Sequence, residues 1–317
     1  MARFSRKQII AIILKKKGLL SGFFSGPKTP EMGIHKVFGE SKVNRFLRAY
    51  MSSAPIESKV YNPHHGVYPS WVVTLKGGQK AIFKADYAAS EHMAYVVDRV
   101  MGFNRVLVVV PRTISINGVT QTGVLMQWSK SGRPAKTLFT QSNQRVFSSS
   151  QAREFDEMPV FDYIIGNMDR HAGNYLFKGS QIIPIDHGLS FQRSASTPAL
   201  MFMNKKVSTN VYRLPLESRK SLLLQVDRLL RSEKRLKKMQ YAGGDSPTIN
   251  EHRISEVMKR TRFLKRYIKS HKLDTDNPVT PRYTEERELS FLGRGGVSIK
   301  TSRMRINTKE AQRFRSS

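Results

Sequence analysis

FDYIIGNMDRHAGNYLF (residues 161–177) and, after Lys178-Gly-Ser-Gln, IIPIDHGLSF (182–191) decide how this chain is read. Asn174 to Phe177 and Gln181 to Ile185 are short apolar runs on either side of Lys178-Gly179-Ser180, a turn sequence, and they read as two paired strands. Asp169 stands five residues before Asn174, and Asp186-His187-Gly188 closes the second run. An aspartate that ends a strand before a glycine turn can project into a cleft as a magnesium ligand, and Asn174 supplies a second hard oxygen donor. Taken singly, Asp-Arg-His suits a capped turn and Asp-x-Gly suits a β-turn. Their order, between apolar strands, favours a site.

Upstream, the chain changes character. QAREFDEMPVFDYIIGN (151–167) reads as a helix with a proline near its middle. Tyr68 to Leu75 and Lys80 to Ala85 read as strands joined by Lys76-Gly77-Gly78-Gln79. SEHMAYVVDRVMGF (90–103) sets Met93, Ala94, Val97, Val100 and Met101 on one helical face, with Gly102 suited to the stop. Arg105 to Val110 is a β-branched run, and ISINGVTQTGVLMQW (114–128) is two strands around Asn117-Gly118, a pair that favours the type I′ turn. Downstream, Glu217 to Lys238 and Glu251 to His271 are amphipathic, basic helices. The expected architecture is α+β and bilobal: a small antiparallel sheet with one helix at 55–130, and a mainly helical lobe at 131–274. Residues 1–60 read as basic and loop-rich, with GPKTPEMG (26–33) as a linker; 1–54 are expected to be a basic N-terminal segment and 275–317 a basic mobile tail.

The bulk composition narrows the function classes. With 39% hydrophobic residues the chain can bury a core, and with no cysteine it has neither disulfides nor thiolate chemistry. That absence favours a reducing compartment. The 54 Lys and Arg against 24 Asp and Glu give a net charge of +30, which attracts nucleic acid, anionic membrane surfaces or acidic substrates. A solvated basic surface is the plain alternative. Ile9 to Leu14 is too short an apolar run to span a bilayer, which needs about 20 residues. It reads as a basic amphipathic segment, packed on the surface or touching a membrane or nucleic acid.

Phosphoryl transfer requires a carboxylate to orient the attacking hydroxyl, metal ligands, a lysine on the nucleotide phosphates and a loop over them. The Asp169-x-x-x-x-Asn174 spacing matches kinase catalytic loops. No GxxxxGK[ST] is present, which argues against a P-loop enzyme, and adjacent His64 and His65 do not form a helical zinc pair. GNMDRHAGN with IDHGLSF resembles the loop shared by phosphatidylinositol 3- and 4-kinases, HipA-type kinases and, most fully, the secretory-pathway (Golgi casein) kinase family. That last family carries Gly-Asn-Met-Asp-Arg-His and then Asp-Asn-Gly, where this chain has Asp186-His187-Gly188. Glu91 to Phe103, with Arg105-Val106 and Arg112, is similar to the same family's helix and following strand. The resemblance implies a bilobal protein-kinase-like fold with Asp169 as the catalytic carboxylate and Asn174 and Asp186 as metal ligands. Lys84 in AIFKAD would hold the nucleotide phosphates, and Glu91 would pair with Lys84 or reach the metal. Gly66, in YNPHHGVYPS, is the candidate phosphate-covering turn.

The expected function is therefore an ATP-dependent kinase, using Mg2+ or Mn2+, that transfers the γ-phosphoryl group to a hydroxyl, foremost a protein serine or threonine. A lipid or carbohydrate kinase is the second reading. A non-catalytic, virion-associated or nucleic-acid-binding protein on a kinase-like fold is the third, supported by the net charge of +30. Expected partners are a protein substrate and a polyanion met by the basic N-terminus and tail. The expected location is cytoplasmic, in a bacterial or viral setting, with peripheral membrane attachment permitted and no membrane-spanning segment.

Overall fold

A computed structural model describes residues 41–62, 68–129, 132–134, 149–167, 169–170, 172–179, 181–191 and 216–270. Gly66, His64, His65, His171, the segment 1–40 and the tail 275–317 lie outside them.

The first lobe is built on a five-stranded antiparallel sheet: β1 (Ile56–Tyr61), β2 (Trp71–Leu75), β3 (Gln79–Lys84), β4 (Val109–Ile116) and β5 (Val119–Gln127), in the order β1-β2-β3-β5-β4. Its pairings place β-branched and aromatic residues across from one another, such as Val60 with Val72, Tyr61 with Trp71 and Trp71 with Phe83. β4 and β5 join through Asn117 and Gly118, both at positive φ, which is the type I′ geometry their dipeptide predicts. The Lys59 ammonium of β1 donates to the Ser115 carbonyl of β4 at 2.6 Å, so the two edges of the sheet curl towards each other.

Helix α1 (Lys42–Ser53) precedes the sheet, in a segment whose composition reads as loop. Ser41 caps it, accepting from Asn44 N–H at 3.2 Å. Arg112 of β4 fastens its end by donating to the Met51 and Ala54 carbonyls at 2.8 and 2.7 Å. Both α1 and β1 correct the loop-rich expectation for this stretch: behind the Ser41 cap, Val43, Phe46, Leu47, Tyr50 and Met51 recur at helical spacing, a signal the loop reading passed over.

Helix α2 (Ala88–Met101) is buried along its entire length, not on one face. Its polar residues are tolerated because they are paired: Asp98 accepts from the Arg105 and Val106 N–H groups, and Arg99 reaches Asn104 and the Val106 carbonyl. Burial pushes the Asp98 carboxyl up from its usual range, against the pull of Arg99. Gly102 ends the helix at φ 78°, and its N–H returns to the Asp98 and Arg99 carbonyls.

The second lobe contains α3 (Ser149–Ile165), α4 (Leu216–Arg231), α5 (Glu233–Lys237) and α6 (Pro247–Ser270), with a small sheet ordered β6 (Arg133–Pro134), β7 (Tyr175–Lys178), β8 (Gln181–Pro184). Pro159 lies within α3, and α6 begins with proline at its first turn behind a Ser246 cap that accepts from Ile249 N–H. One apolar core joins the lobes: Val97 and Met101 of α2, Phe161 and Ile164 of α3, Leu222 and Val226 of α4, Val257 and Met258 of α6. The basic residues of α6 do not form one open patch. Arg260 turns inward to the Ile164 carbonyl, while Lys259, Arg262 and Lys265 pair with Glu256, Glu233 and Asp227. Among the described residues no helix is long and apolar enough to cross a membrane.

Candidate active site

β7 and β8 pair from Tyr175 opposite Pro184 to Lys178 opposite Gln181. The residues just outside that hairpin, Asn174 and Ile185-Asp186, therefore meet at its open end. There Ile185 N–H donates to the Asn174 carbonyl at 3.0 Å. This is how two residues that are distant in sequence reach the same place. Asn174 sits in the short 3-10 turn Ala172–Asn174, and its Nδ2 donates back to the Asp169 carbonyl at 2.9 Å. That bond leaves the amide oxygen of Asn174 as its remaining donor atom for a cation.

The loop carrying Asp169 is held from beneath. Asn167 Nδ2 donates to Asp162 Oδ1 at 3.1 Å, and Asn167 Oδ1 accepts from Asp169 N–H at 3.1 Å. The Arg170 guanidinium grips both carboxylate oxygens of Asp162 at 3.0–3.2 Å. It also donates to the carbonyls of Asn174 at 2.8 Å and Ile185 at 2.6 Å. One buried side chain thus ties α3, the Asp169 loop and the strand leading into Asp186. Burial alone would lower its pKa; Asp162 outweighs that and raises it. The side chain of Asp169 itself is exposed.

The first lobe contributes Lys84, at the end of β3. Its ammonium lies 3.1 Å from Glu91 Oε1 and 2.9 Å from Asp186 Oδ1. The expected pairing with Glu91 is thus made within the first lobe, and Asp186 adds a contact from the second. Burial opposes the charge on Lys84, but Glu91 and then Asp186 overcome it and raise its pKa. Burial likewise works against the charge of Glu91, and the Lys84 ammonium with the His187 contacts holds it well below the usual carboxylate range. Asp186 adopts φ 57°, a left-handed conformation that aspartate tolerates better than most residues, and its side chain is 45% exposed. Its carboxylate is therefore open to a ligand while anchored to Lys84.

Sequence reasoning did not find the supporting residues. His187 is buried on Glu91, Arg170 and Asp162 form the clamp, and Asn167 bridges to Asp169. The only hint was their position beside the motif residues. Lys84, Glu91, Asn174, Asp169 and Asp186 do converge; Gly66 falls outside the described residues.

Residues 78–223 match the family model described as phosphatidylinositol 3- and 4-kinase. Among solved structures, the Golgi casein kinase is 13% identical with a TM-score of 0.42, covering 72% of this chain and 76% of its own. The Helicobacter pylori proinflammatory kinase CtkA is 15% identical with a TM-score of 0.44, covering 70% of this chain and 99% of its own. No curated protein sequence matches the chain. The fold is α+β, with two lobes joined by one core, and the family match, over less than half of the chain, favours a kinase-type phosphotransferase.

Proposed function

We propose that the chain uses ATP and a divalent cation to phosphorylate a serine or threonine hydroxyl of a protein, with Asp169 as the catalytic carboxylate. The observation that carries the reading is Lys84, paired with Glu91 inside the first lobe and with Asp186 of the second. The donor set suits the cation: a half-exposed carboxylate on Asp186 and an amide oxygen on Asn174 are hard ligands, fit for Mg2+ or Mn2+. Bound there, the cation would neutralise the charge that develops on the transferring phosphate.

The chain's own groups do the rest. Glu91 aims the Lys84 ammonium at the nucleotide phosphates. Asp169 orients the acceptor hydroxyl and takes its proton as the oxygen attacks the γ-phosphorus and the bond to the bridging oxygen of ADP breaks. Arg170 and Asn167 keep that loop in place, so no reorganisation is needed at the moment of transfer. The protein acceptor rests on the likeness of GNMDRHAGN to the secretory-pathway kinases. The family match favours a second reading, a lipid headgroup hydroxyl.

The test supplies γ-labelled ATP and Mg2+ or Mn2+ with a mixed protein substrate in one arm and phosphatidylinositol vesicles in the other. Label on serine or threonine that is lost in Asp169→Asn supports the proposal. Label on lipid alone moves the assignment to the second reading, and no label in either arm, from folded protein, refutes both.

A further inference from the structure

We infer that His187, the middle residue of the Asp186-His187-Gly188 turn, is the positioning residue that sets Glu91 and, through it, Lys84. The inference rests on the kinase reading above and deepens it. Three observations carry it. The His187 backbone N–H donates to Glu91 Oε2 at 3.1 Å, and its ring Nδ1 lies 3.3 Å from the same oxygen. Because a carboxylate oxygen only accepts, Nδ1 carries the proton in that contact. The ring is 2% exposed, edge-on to Phe161 of α3 with centroids 6.1 Å apart, so packing fixes its plane. Glu91 is therefore divided: Oε2 is taken by His187 and Oε1 faces Lys84 at 3.1 Å.

The neighbouring residues fasten the same two elements together. Ser90 Oγ donates to the Ser190 carbonyl at 3.0 Å, and a Cβ on Gly188 would stand 3.2 Å from Tyr87 Cβ, at the start of α2. The Asp186 turn thus presents one face to the cation and nucleotide and the other to α2. Without the His187 ring, the Ser190 and backbone contacts would still hold α2 near the turn, but Glu91 would keep only one donor on Oε2. The carboxylate could then rotate, and the Lys84 ammonium would lose its fixed direction. The expected loss falls on nucleotide binding, because Lys84 serves the phosphates, and not on the acceptor, which meets Asp169.

The experiment compares His187→Leu, His187→Asn, Glu91→Gln and the double variant His187→Leu/Glu91→Gln in the full chain, each first shown folded by circular dichroism. His187→Leu should raise the KM for ATP by about tenfold to a hundredfold, the range of one hydrogen bond to a charged group, with the KM for acceptor unchanged. His187→Asn, whose amide can donate from about the same place as Nδ1, should recover most of that loss. In the Glu91→Gln background His187→Leu should add little, because the two residues act as one unit. Additive effects of the two substitutions, or a folded His187→Leu with unchanged KM for ATP, overturn the inference. If His187→Leu does not fold, His187→Asn against Glu91→Gln decides it: Asn with the full Glu91→Gln defect refutes the role. Wild-type protein that turns over no ATP would instead refute the kinase reading itself, so the two failures are distinguishable.

Discussion

Replacing Arg170 by methionine should be among the most damaging single changes in the second lobe, and its size can be worked from the contacts. The guanidinium is 8% exposed and its Asp162 partner 2% exposed. Methionine fills a similar volume but removes the bonds to both Asp162 oxygens and to the Asn174 and Ile185 carbonyls. Asp162 then keeps Asn167 Nδ2 and no opposing charge among those contacts. Breaking a buried ion pair from one side costs about 3–5 kcal/mol, because the remaining charge stays desolvated. For a domain of about 150–250 residues each kcal/mol shifts Tm by roughly 2–4 °C, so the expected fall is about 6–20 °C. Thermal unfolding followed by circular dichroism measures it. Adding Asp162→Asn to Arg170→Met should recover part of the loss, since it removes the stranded charge. Arg170→Lys should rescue poorly, because one ammonium cannot span a carboxylate and two carbonyls as the planar fork does. A fall in Tm under about 2 °C for Arg170→Met, or a double variant no better than the single, would refute the clamp.

Further outcomes follow from the geometry. Asp169→Asn should leave Tm nearly unchanged, since the side chain is exposed, while lowering turnover by about 10²–10⁴-fold in a phosphoryl-transfer assay. Gly123→Ala should destabilise by about 1–3 kcal/mol in urea unfolding, because a Cβ there would press on the Lys84 carbonyl, on Phe83 Cζ at 2.8 Å and on Ala85 Cα at 2.9 Å. The same substitution should raise the KM for ATP, as the strand carrying Lys84 must shift. His92, buried and beside Arg48, is pushed down to about 3, whereas its ring in the unfolded chain titrates near 6.5. Its contribution to stability is therefore complete above pH of about 6.5 and declines as pH falls towards the folded value, at up to roughly 1.4 kcal/mol per pH unit. His92→Asn, which keeps an acceptor for Ala242 N–H, should show a flatter fall between pH 6.5 and 4 in urea unfolding series, within about that slope per unit.

The parts of this molecule that were legible in the sequence are those whose cause is local. Asn117-Gly118 dictates its own turn, Gly102 its own helix stop, and the β7–β8 runs their own pairing, so each stands where the residues place it. The meeting of the candidate residues was legible for a related reason: the Asp169–Asn174 spacing and the Asp186 turn are short-range patterns that the hairpin then closes. What was not legible depends on contacts between distant segments. Where helix α1 ends against the sheet is such a case, because Arg112, far along the chain, fastens the Met51 and Ala54 carbonyls; its Val43–Phe46–Leu47–Tyr50–Met51 stripe was there to be read. Helix α2 looked one-sided because Glu91, His92, Asp98 and Arg99 are polar; their partners come from β3, the residue 102–106 loop, Ala242 and His187. Arg260 lies in the basic helix read at 251–271, yet its carbonyl acceptor is Ile164 of α3.

Those long-range partners also explain how a site with so many charges remains stable. The carboxylates divide into two sets by burial. Asp98, Asp162 and Glu91 are each at most 2% exposed, and each accepts from several donors fixed by the backbone or by packed side chains. The two aspartates proposed for chemistry are different: Asp169 is exposed and Asp186 is 45% exposed. A buried carboxylate without partners would be strongly destabilising, and one satisfied by Arg170, Lys84 or His187 is not. An exposed one can be reached by a cation or a hydroxyl group. Stability and reactivity are thus assigned to different carboxylates, linked by short bridges: Asp162 through Asn167 to Asp169, and Glu91 through Lys84 to Asp186. It follows that changes at the buried member of each bridge should alter both Tm and kinetics, turnover for Asp162 and the KM for ATP for Glu91, whereas changes at the exposed member should alter the kinetics with little effect on Tm.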